Sequence, residues 1–323
     1  MRRVLSSLLC LSILVLLTPL LHAATEFKLA HGAATDDPYH IGVTKFAELV
    51  SQYTNQAIKV TIYPNAQFGG EREMIEGVKL GTLELLITAS APIAGFEPKF
   101  MLFDLPFLFR DNPQAHRVLD GPIGQKVAAS LEPHGIKLLC WMESGFRNMI
   151  TTKKRINRPE DMVGMRFRVM ENPVYVSMFK NLGSSAVPIP SPEVYTSLQT
   201  GVVDGYEHPV GAYMAIRAYE VAKLVALTGH AYTPAPVLMN LRVFNSLSKP
   251  QQEAFLKAAQ EAAVVERNYI AQTLEEFKTK LRGTGVQFYD VDKKPFQQKM
   301  APVYKEFEGK VGKDLIEAIL QTP

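Results

Sequence analysis

GMRFRVMENPVYVSMFKNLGSSAVPIPSPEVYTSLQTGVVDG, residues 164–205, is the stretch whose reading decides the fold. Met165 to Val169 reads as a strand, Pro173 to Leu182 as a helix and Ala186 to Ile189 as a second short strand. Ser191-Pro192-Glu193 then starts another helix, with a cap, a proline at the first helical position and an acid where the helix dipole favours one. Val202 and Val203 enter a third strand. Strands separated by helices point to an α/β architecture with largely parallel sheets. Ligands of such sheets sit beyond the carboxyl ends of the strands, so the loops after strands are where a site is expected.

The same alternation runs outward in both directions. Toward the N-terminus, Phe27, Leu29 and His31 alternate with Lys28 and Ala30; Pro38, after Asp36 and Asp37, opens a helix through Tyr53; Ile58, Val60 and Ile62 form a strand closed by Pro64-Asn65. A helix from about Glu71 to Lys79 stops at Gly81, and Leu83 to Ala89 reads as a buried strand. Asn112 to Leu131 is helical with a break at Gly121-Pro122, and Ile136 to Met142 is a buried strand. Toward the C-terminus, Ser248-Lys249-Pro250-Gln251 has the pattern of a capping box, and neither Gly nor Pro follows Pro250 until Gly283. A helix of that length spans about 50 Å at 1.5 Å per residue. It is longer than one small domain is wide, and the 323 residues suit two domains, so it is expected to bridge them.

Residues 1–24 have the order of a secretory signal: Arg2 and Arg3, an apolar run from Val4 to Leu21, then Ala23 and Ala24. Cleavage leaves 33 basic against 32 acidic side chains, a net charge of +1 in place of +3, with no basic stretch that would hold a nucleic acid. Cys140 is then the remaining thiol, so the mature fold rests on its core and not on a disulfide.

Enzyme chemistry finds little support. The histidines are scattered, and none has a zinc-ligand spacing. Cys140 lies mid-strand in an apolar context, where a buried thiol is inert. Gly69-Gly70 lacks the spacing and lysine of a phosphate loop, and no G-x-S-x-G elbow occurs. Glu193 and His208 form the acid/base pair an exported enzyme would use. A binding role needs less, namely a buried cation and walls. Arg147, in Gly145-Phe146-Arg147-Asn148, and Arg168, in the 165–169 strand, are the candidates. The planar fork of arginine stays ionised and donates two parallel hydrogen bonds to a carboxylate.

The 164–205 block, with Leu29-Ala30-His31, Tyr63-Pro64-Asn65-Ala66-Gln67-Phe68-Gly69 and Asp104-Leu105-Pro106-Phe107-Leu108-Phe109, closely resembles the substrate-binding subunit of tripartite ATP-independent periplasmic (TRAP) transporters, of the dicarboxylate-binding type. The resemblance covers nearly the whole mature chain. It implies a type II-like periplasmic binding protein of two α/β lobes with a long hinge-spanning helix. Lobe I would be 25–145 plus about 234–273, and lobe II 146–233 plus about 274–323. It implies closure on an organic acid anion and delivery to membrane permease subunits, with no cofactor or metal, and a monomer is the default. Arg168 occupies the family's carboxylate-binding position and Arg147 that of an assisting arginine. His208 stands where many members carry asparagine, which keeps a donor but changes reach. Asn172, Gln67 and Glu71 are further candidate contacts. Ala89-Ser90-Ala91-Pro92 replaces the polar wall of sialic-acid binders, which implies a smaller or less hydroxylated acid. C4-dicarboxylates, 2-oxo or 2-hydroxy acids, sugar acids and aromatic acids all stay open, as does a role presenting ligand to a membrane sensor.

Overall fold

Nine strands and twelve α-helices make up residues 24–323, the part of the chain that this computed structural model describes; the signal-peptide reading falls on residues almost wholly outside it. The strands are β1 (Thr25–Ala30), β2 (Ile58–Tyr63), β3 (Leu85–Ile87), β4 (Ile136–Thr151), β5 (Arg166–Val169), β6 (Ser185–Pro188), β7 (Gly205–His208), β8 (Leu224–Asn240) and β9 (Gln287–Tyr289). The helices are α1 (Pro38–Tyr53), α2 (Glu71–Leu80), α3 (Asn112–Asp120), α4 (Pro122–Ala129), α5 (Pro173–Asn181), α6 (Val194–Gln199), α7 (Val210–Ala215), α8 (Leu241–Ser246), α9 (Lys249–Gly283), α10 (Lys294–Gln298), α11 (Ala301–Val311) and α12 (Lys313–Gln321).

Local chemistry sets most of these boundaries. Asp37 caps α1 by accepting from Tyr39 N at 2.9 Å, with Pro38 in the first turn. Gly81 ends α2 in the left-handed conformation that glycine adopts without strain, φ 82°. Ser248 and Gln251 close the expected capping box on α9. Ser191 differs from expectation. It lies inside a 3-10 turn, Ser191–Glu193, that leads into α6, so its hydroxyl is not placed ahead of the free N–H groups and caps nothing.

The strands form one mixed sheet in the order β2-β1-β3-β8-β4-β7-β5-β6, with β9 beside β8. The βαβ halves are parallel as expected: β1 with β2 and β3, and β5 with β6 and β7. The centre is not. β4 pairs antiparallel with β8 along almost its whole length, and β3–β8 and β4–β7 are antiparallel as well. Sequence reading took the strand as Ile136 to Met142. The strand instead continues through a register shift between Glu143 and Gly145, with Gly145 at φ 97°. Pro234 and Pro236 argue against a central strand in β8, since proline cannot donate to a ladder. They are accommodated here opposite Glu143 and Trp141.

These two long strands and α9 are the elements that run through both halves of the two-lobed fold. Helix α9 rises about 52 Å at 1.5 Å per residue. Its first half packs Phe255, Ala258, Ala259 and Ala262 on Phe46, Leu139 and Cys140; its last turns pack Phe277 and Leu281 on Tyr206, Tyr213 and Val286. Midway, Glu266 accepts from Glu143 N at 3.2 Å, the residue where the β4 register shifts. A third core joins Phe100, Phe103 and Phe109 to Tyr175, Phe179, Phe307 and Ile316, and Gln114 donates to Ile319 O and Thr322 O at 2.9 and 3.0 Å. The segment around residues 98–120 is therefore held against the C-terminal helices, a contact that cuts across the sequence-based lobe boundaries.

Gly42 lies at a close approach of α1, α9 and β4: a Cβ there would lie 2.6 Å from Met142 Sδ and 2.9 Å from Glu266 Cγ. Gly42→Val is expected to lower the unfolding free energy by about 1–3 kcal/mol, the usual range for overpacking, read from the urea midpoint.

Candidate functional site

The two parallel halves of the sheet bring their strand ends to one enclosed hollow of about 60 Å³. Gly32 and Ala33 reach it from the end of β1, Thr88 and Ala89 from the end of β3, and Met170 from the end of β5, as open α/β sheets require. Arg168 enters from β5, His208 from β7, Arg147, Ser144 and Thr233 from the paired β4 and β8, Glu71 from the start of α2, and Asp37 and Tyr39 from the start of α1. Two larger hollows, of about 630 and 610 Å³, lie behind β4 and between α4 and α9. Neither is lined by a buried charge that lacks a partner, so the small hollow is the chemically distinctive one.

The two arginines do different things. Arg147, 1% exposed, is matched: its Nη2 donates to Glu207 Oε1 at 2.8 Å and Glu207 O at 2.7 Å, its Nε to Glu207 Oε2, and its Nη1 to Thr233 Oγ1 at 3.0 Å. Burial pushes the Glu207 carboxyl up, but Arg147 and His230 more than offset this and hold it at about 2, so the pair is ionised. Arg168 is equally buried at 1%, yet among the described residues its one hydrogen bond runs from Nε to Ile189 O at 2.7 Å. That bond fixes the guanidinium plane and leaves both terminal nitrogens uncommitted beside the hollow. Burial lowers its pKa against the pull of Glu207 and Glu71, and a guanidinium stays ionised in proteins, so it is a desolvated cation with no ion pair within 4 Å among the described residues. Arg166, two residues earlier, is exposed and pairs with Asp204 at 2.8 Å.

The remaining groups are polar and largely uncharged. His208 has its pKa driven well below the ordinary value by burial and then by Arg147 and Arg168, so it is a neutral ring, and among the described residues its Nδ1 is buried without a partner. Among the described residues Thr88 Oγ1 is buried without a partner at full hydrogen-bond geometry, and its hydroxyl lies near enough to Glu71 to lower that carboxyl's pKa. Glu71 is raised by burial against the pull of Arg168 and Arg147, and burial raises Asp37 to about 7.

Of the six residues singled out in the sequence, Arg168, Arg147, His208 and Glu71 line the hollow together. Asn172 and Gln67 do not. Asn172 is 1% exposed and fully engaged: it caps α5 through Val174 N at 2.8 Å and donates to Asp104 at 2.8 Å and Ala91 O at 3.0 Å. Gln67 is exposed in the loop before α2. Glu193, the proposed acid/base partner of His208, is also exposed and outside the lining. Ser191, unused as a cap, joins the lining. The sequence reading missed Glu207, Tyr39, Asp37, Thr88, Ser144 and Thr233 as site residues. The strand-end rule pointed to the loops that hold Asp37, Tyr39 and Thr88; nothing local marked Ser144 or Thr233, which sit on the crossing strands.

A hollow between two sheet halves that holds, among the described residues, one buried arginine without an ion pair, spanned by long elements common to both halves, is the arrangement of a two-lobed solute-binding protein. Residues 29–310 match the family model DctP, the bacterial extracellular solute-binding proteins of family 7, and the chain belongs to that family. It is 33% identical over 301 residues to the 2,3-diketo-L-gulonate-binding periplasmic protein YiaO of Escherichia coli K12, covering 92% of both chains. Its fold superposes with TM-score 0.90 on a TRAP periplasmic solute-binding protein of Polaromonas sp. JS666 bound to D-erythronate, at 36% identity over 92% of this chain and 99% of that one. It also matches, with TM-score 0.88 and 30% identity over 93% and 100% of the two chains, a TRAP periplasmic solute-binding protein of Sulfurospirillum deleyianum with bound succinate.

Removing one partner of a buried ion pair leaves the other charge stranded, so Glu207→Gln is expected to destabilise the protein by about 3–5 kcal/mol in urea unfolding. Asp37 has the opposite sign of pH effect. Its folded pKa of about 7 lies above the unfolded value of 3.8, so the native state holds a proton that the unfolded chain has released. Its contribution is most favourable at low pH, fades as pH rises between these values and levels off above pH 7. Asp37→Asn keeps a capping side chain and removes the titration, so between pH 5 and 8 the variant should gain about 2–3 kcal/mol relative to the native chain.

Proposed function

We propose that the protein is the extracytoplasmic solute receptor of a TRAP-type secondary transporter, exported by residues 1–24 to the periplasm, where it closes on an organic acid anion and delivers it to membrane permease subunits. The observation that carries this reading is Arg168, buried to 1% with its terminal nitrogens uncommitted beside an enclosed hollow. A carboxylate would supply two acceptors in the plane of that fork and cancel the charge. Arg147 stiffens the floor through Glu207 and by donor count keeps one N–H to offer, while neutral His208 can donate to the same anion. The organic acids bound by relatives support the same class of solute. Tyr39, Thr88, Ser144, Glu71 and Asp37 would contact the rest of the molecule.

Closure is assigned to the bulge of β4 at Glu143–Gly145, to the facing part of β8 around Thr233, and to the middle of α9. The lobes on either side follow the sequence boundaries, 25–145 with about 234–273 and 146–233 with about 274–323, apart from the 98–120 segment. The protein returns its solute unchanged. Glu193 and His208, the pair an enzyme would need, do not share the hollow.

Arg168→Met is expected to abolish calorimetric binding of the co-purified acid, a loss of at least about 100-fold, since a buried carboxylate left without its cation forfeits about 3–5 kcal/mol. The ligand-free variant should unfold at the same or a higher temperature, because the substitution removes an unpaired buried charge. Retained affinity with native circular dichroism would discard the anchor.

A further inference from the structure

The groove of about 630 Å³ behind β4 is separated from the hollow by a thin partition. Ser144 lines both. Successive residues of a strand face opposite sides. Arg147 accordingly reaches the hollow, whereas Phe146 and Asn148 line the groove. The same division recurs where the start of α1 meets the start of α7: Asp37 and Ala212 line the hollow, and their neighbours Pro38 and Gly211 line the groove. A Cβ on Gly211 would lie 3.4 Å from Pro38 Cγ and 3.7 Å from Phe277 Cε2, so α1, α7 and α9 are in contact at this edge.

The groove has the size and makeup of a small-molecule site, apolar walls with a few polar groups at one place. Phe107, Phe109 and Phe146 contribute to the walls, together with Ile270, Leu274 and Phe277 of α9. One corner is polar. Lys293 Nζ lies 3.1 Å from the position a Cβ on Gly229 would take, and Gly229 N donates to Asn148 Oδ1 at 3.2 Å. Asn148 is 8% exposed, and its Nδ2 makes a single long bond of 3.4 Å, to Phe146 O. Arg110 and Lys278, also in the lining, are paired with Asp111 and Glu275; Lys293 has no carboxylate within 4 Å among the described residues. Asp290 is the one acid among the described residues of the lining.

We infer that this groove is a second binding site, separate from the carboxylate hollow, for an amphipathic monoanion with an apolar body. Its charged end meets Lys293 and Asn148 Nδ2, and its body is buried between the phenylalanines and α9, where loss of apolar surface from water drives binding. A hydrophilic solute would strip its hydroxyls of water against these walls, so the two sites select different molecules. Pro38 and Gly211 form one edge of the groove, and parting α1 from α7 removes that edge. The occupant therefore favours the form in which the two halves touch. By linkage, it and an acid held at Arg168 raise each other's affinity by the same factor. That last consequence rests on the carboxylate-binding reading above; the groove site itself does not.

The test is a fluorescence titration with anilinonaphthalene sulfonate, an apolar monoanion that brightens on exposed apolar surface. The native chain is expected to take up one molecule saturably. Leu274→Asp, which sets a like charge in the wall, should weaken binding at least about tenfold, and Lys293→Gln, at an exposed position that leaves the core intact, at least about threefold. Val264→Asp, in the other large hollow between α4 and α9, should leave it unchanged. Gly70→Trp places a wedge outside the groove, where a Cβ would lie 3.9 Å from Pro190 Cβ, and should weaken the probe at least about threefold by holding the halves apart. Affinity unmoved by both Leu274→Asp and Lys293→Gln, a loss in Val264→Asp, or a loss in Arg168→Met that places the probe in the hollow, overturns the site. Weakening by the two groove substitutions with none by the wedge keeps the site and overturns its link to closure. No saturable binding to the native chain overturns both.

Discussion

A guanidinium buried without a counter-ion is the constraint around which this molecule is arranged. Arg168 gives up its hydration on folding and receives one carbonyl, Ile189 O, in return. Such a group costs free energy for as long as no anion stands beside it. Arg147 shows the alternative a few residues away in space. Its charge is matched by Glu207 with two hydrogen bonds from one side of the guanidinium, and it serves as framework. Two arginines of equal burial thus have different roles, decided by whether a carboxylate stands beside each.

The sheet explains how the hollow can be both enclosed and accessible. Its walls come from two parallel βαβ halves, whereas its floor lies on β4 and β8, which continue from one half to the other. A strand pair carrying a register shift at Glu143–Gly145 bends more readily there than in its regular parts. Helix α9 anchors into a separate apolar cluster at each end, and Glu266 fastens its middle to the same bulge.

Legibility of the site followed how local each signal was. Arg168 and Arg147 were visible because the surrounding motif is distinctive, and Glu71 because it opens a helix after a turn. Asn172 was drawn into the candidate set by its place next to that motif. Its amide is instead needed to cap α5 and to satisfy Asp104 and Ala91 O, so no donor is left for a solute. Glu207 escaped notice because an acid in a four-residue strand looks like a solvent-facing residue until the Arg147 side chain is brought against it. Ser144 and Thr233 are more than eighty residues apart and become neighbours only through the antiparallel β4–β8 ladder.

The chain alone determined the α/β alternation, most of the helix caps and the length of α9, because each is written in spacing or in a few adjacent residues, and its family resemblance singled out Arg168 and Arg147 as candidates. Tertiary structure decided that β4 and β8 run unbroken through glycine and proline, that Glu207 pairs with Arg147 and not with Arg168, and which polar residues line the hollow. Those outcomes depend on which buried groups meet across the sheet, and the cost of an unmatched charge or donor is set by that meeting and not by sequence distance.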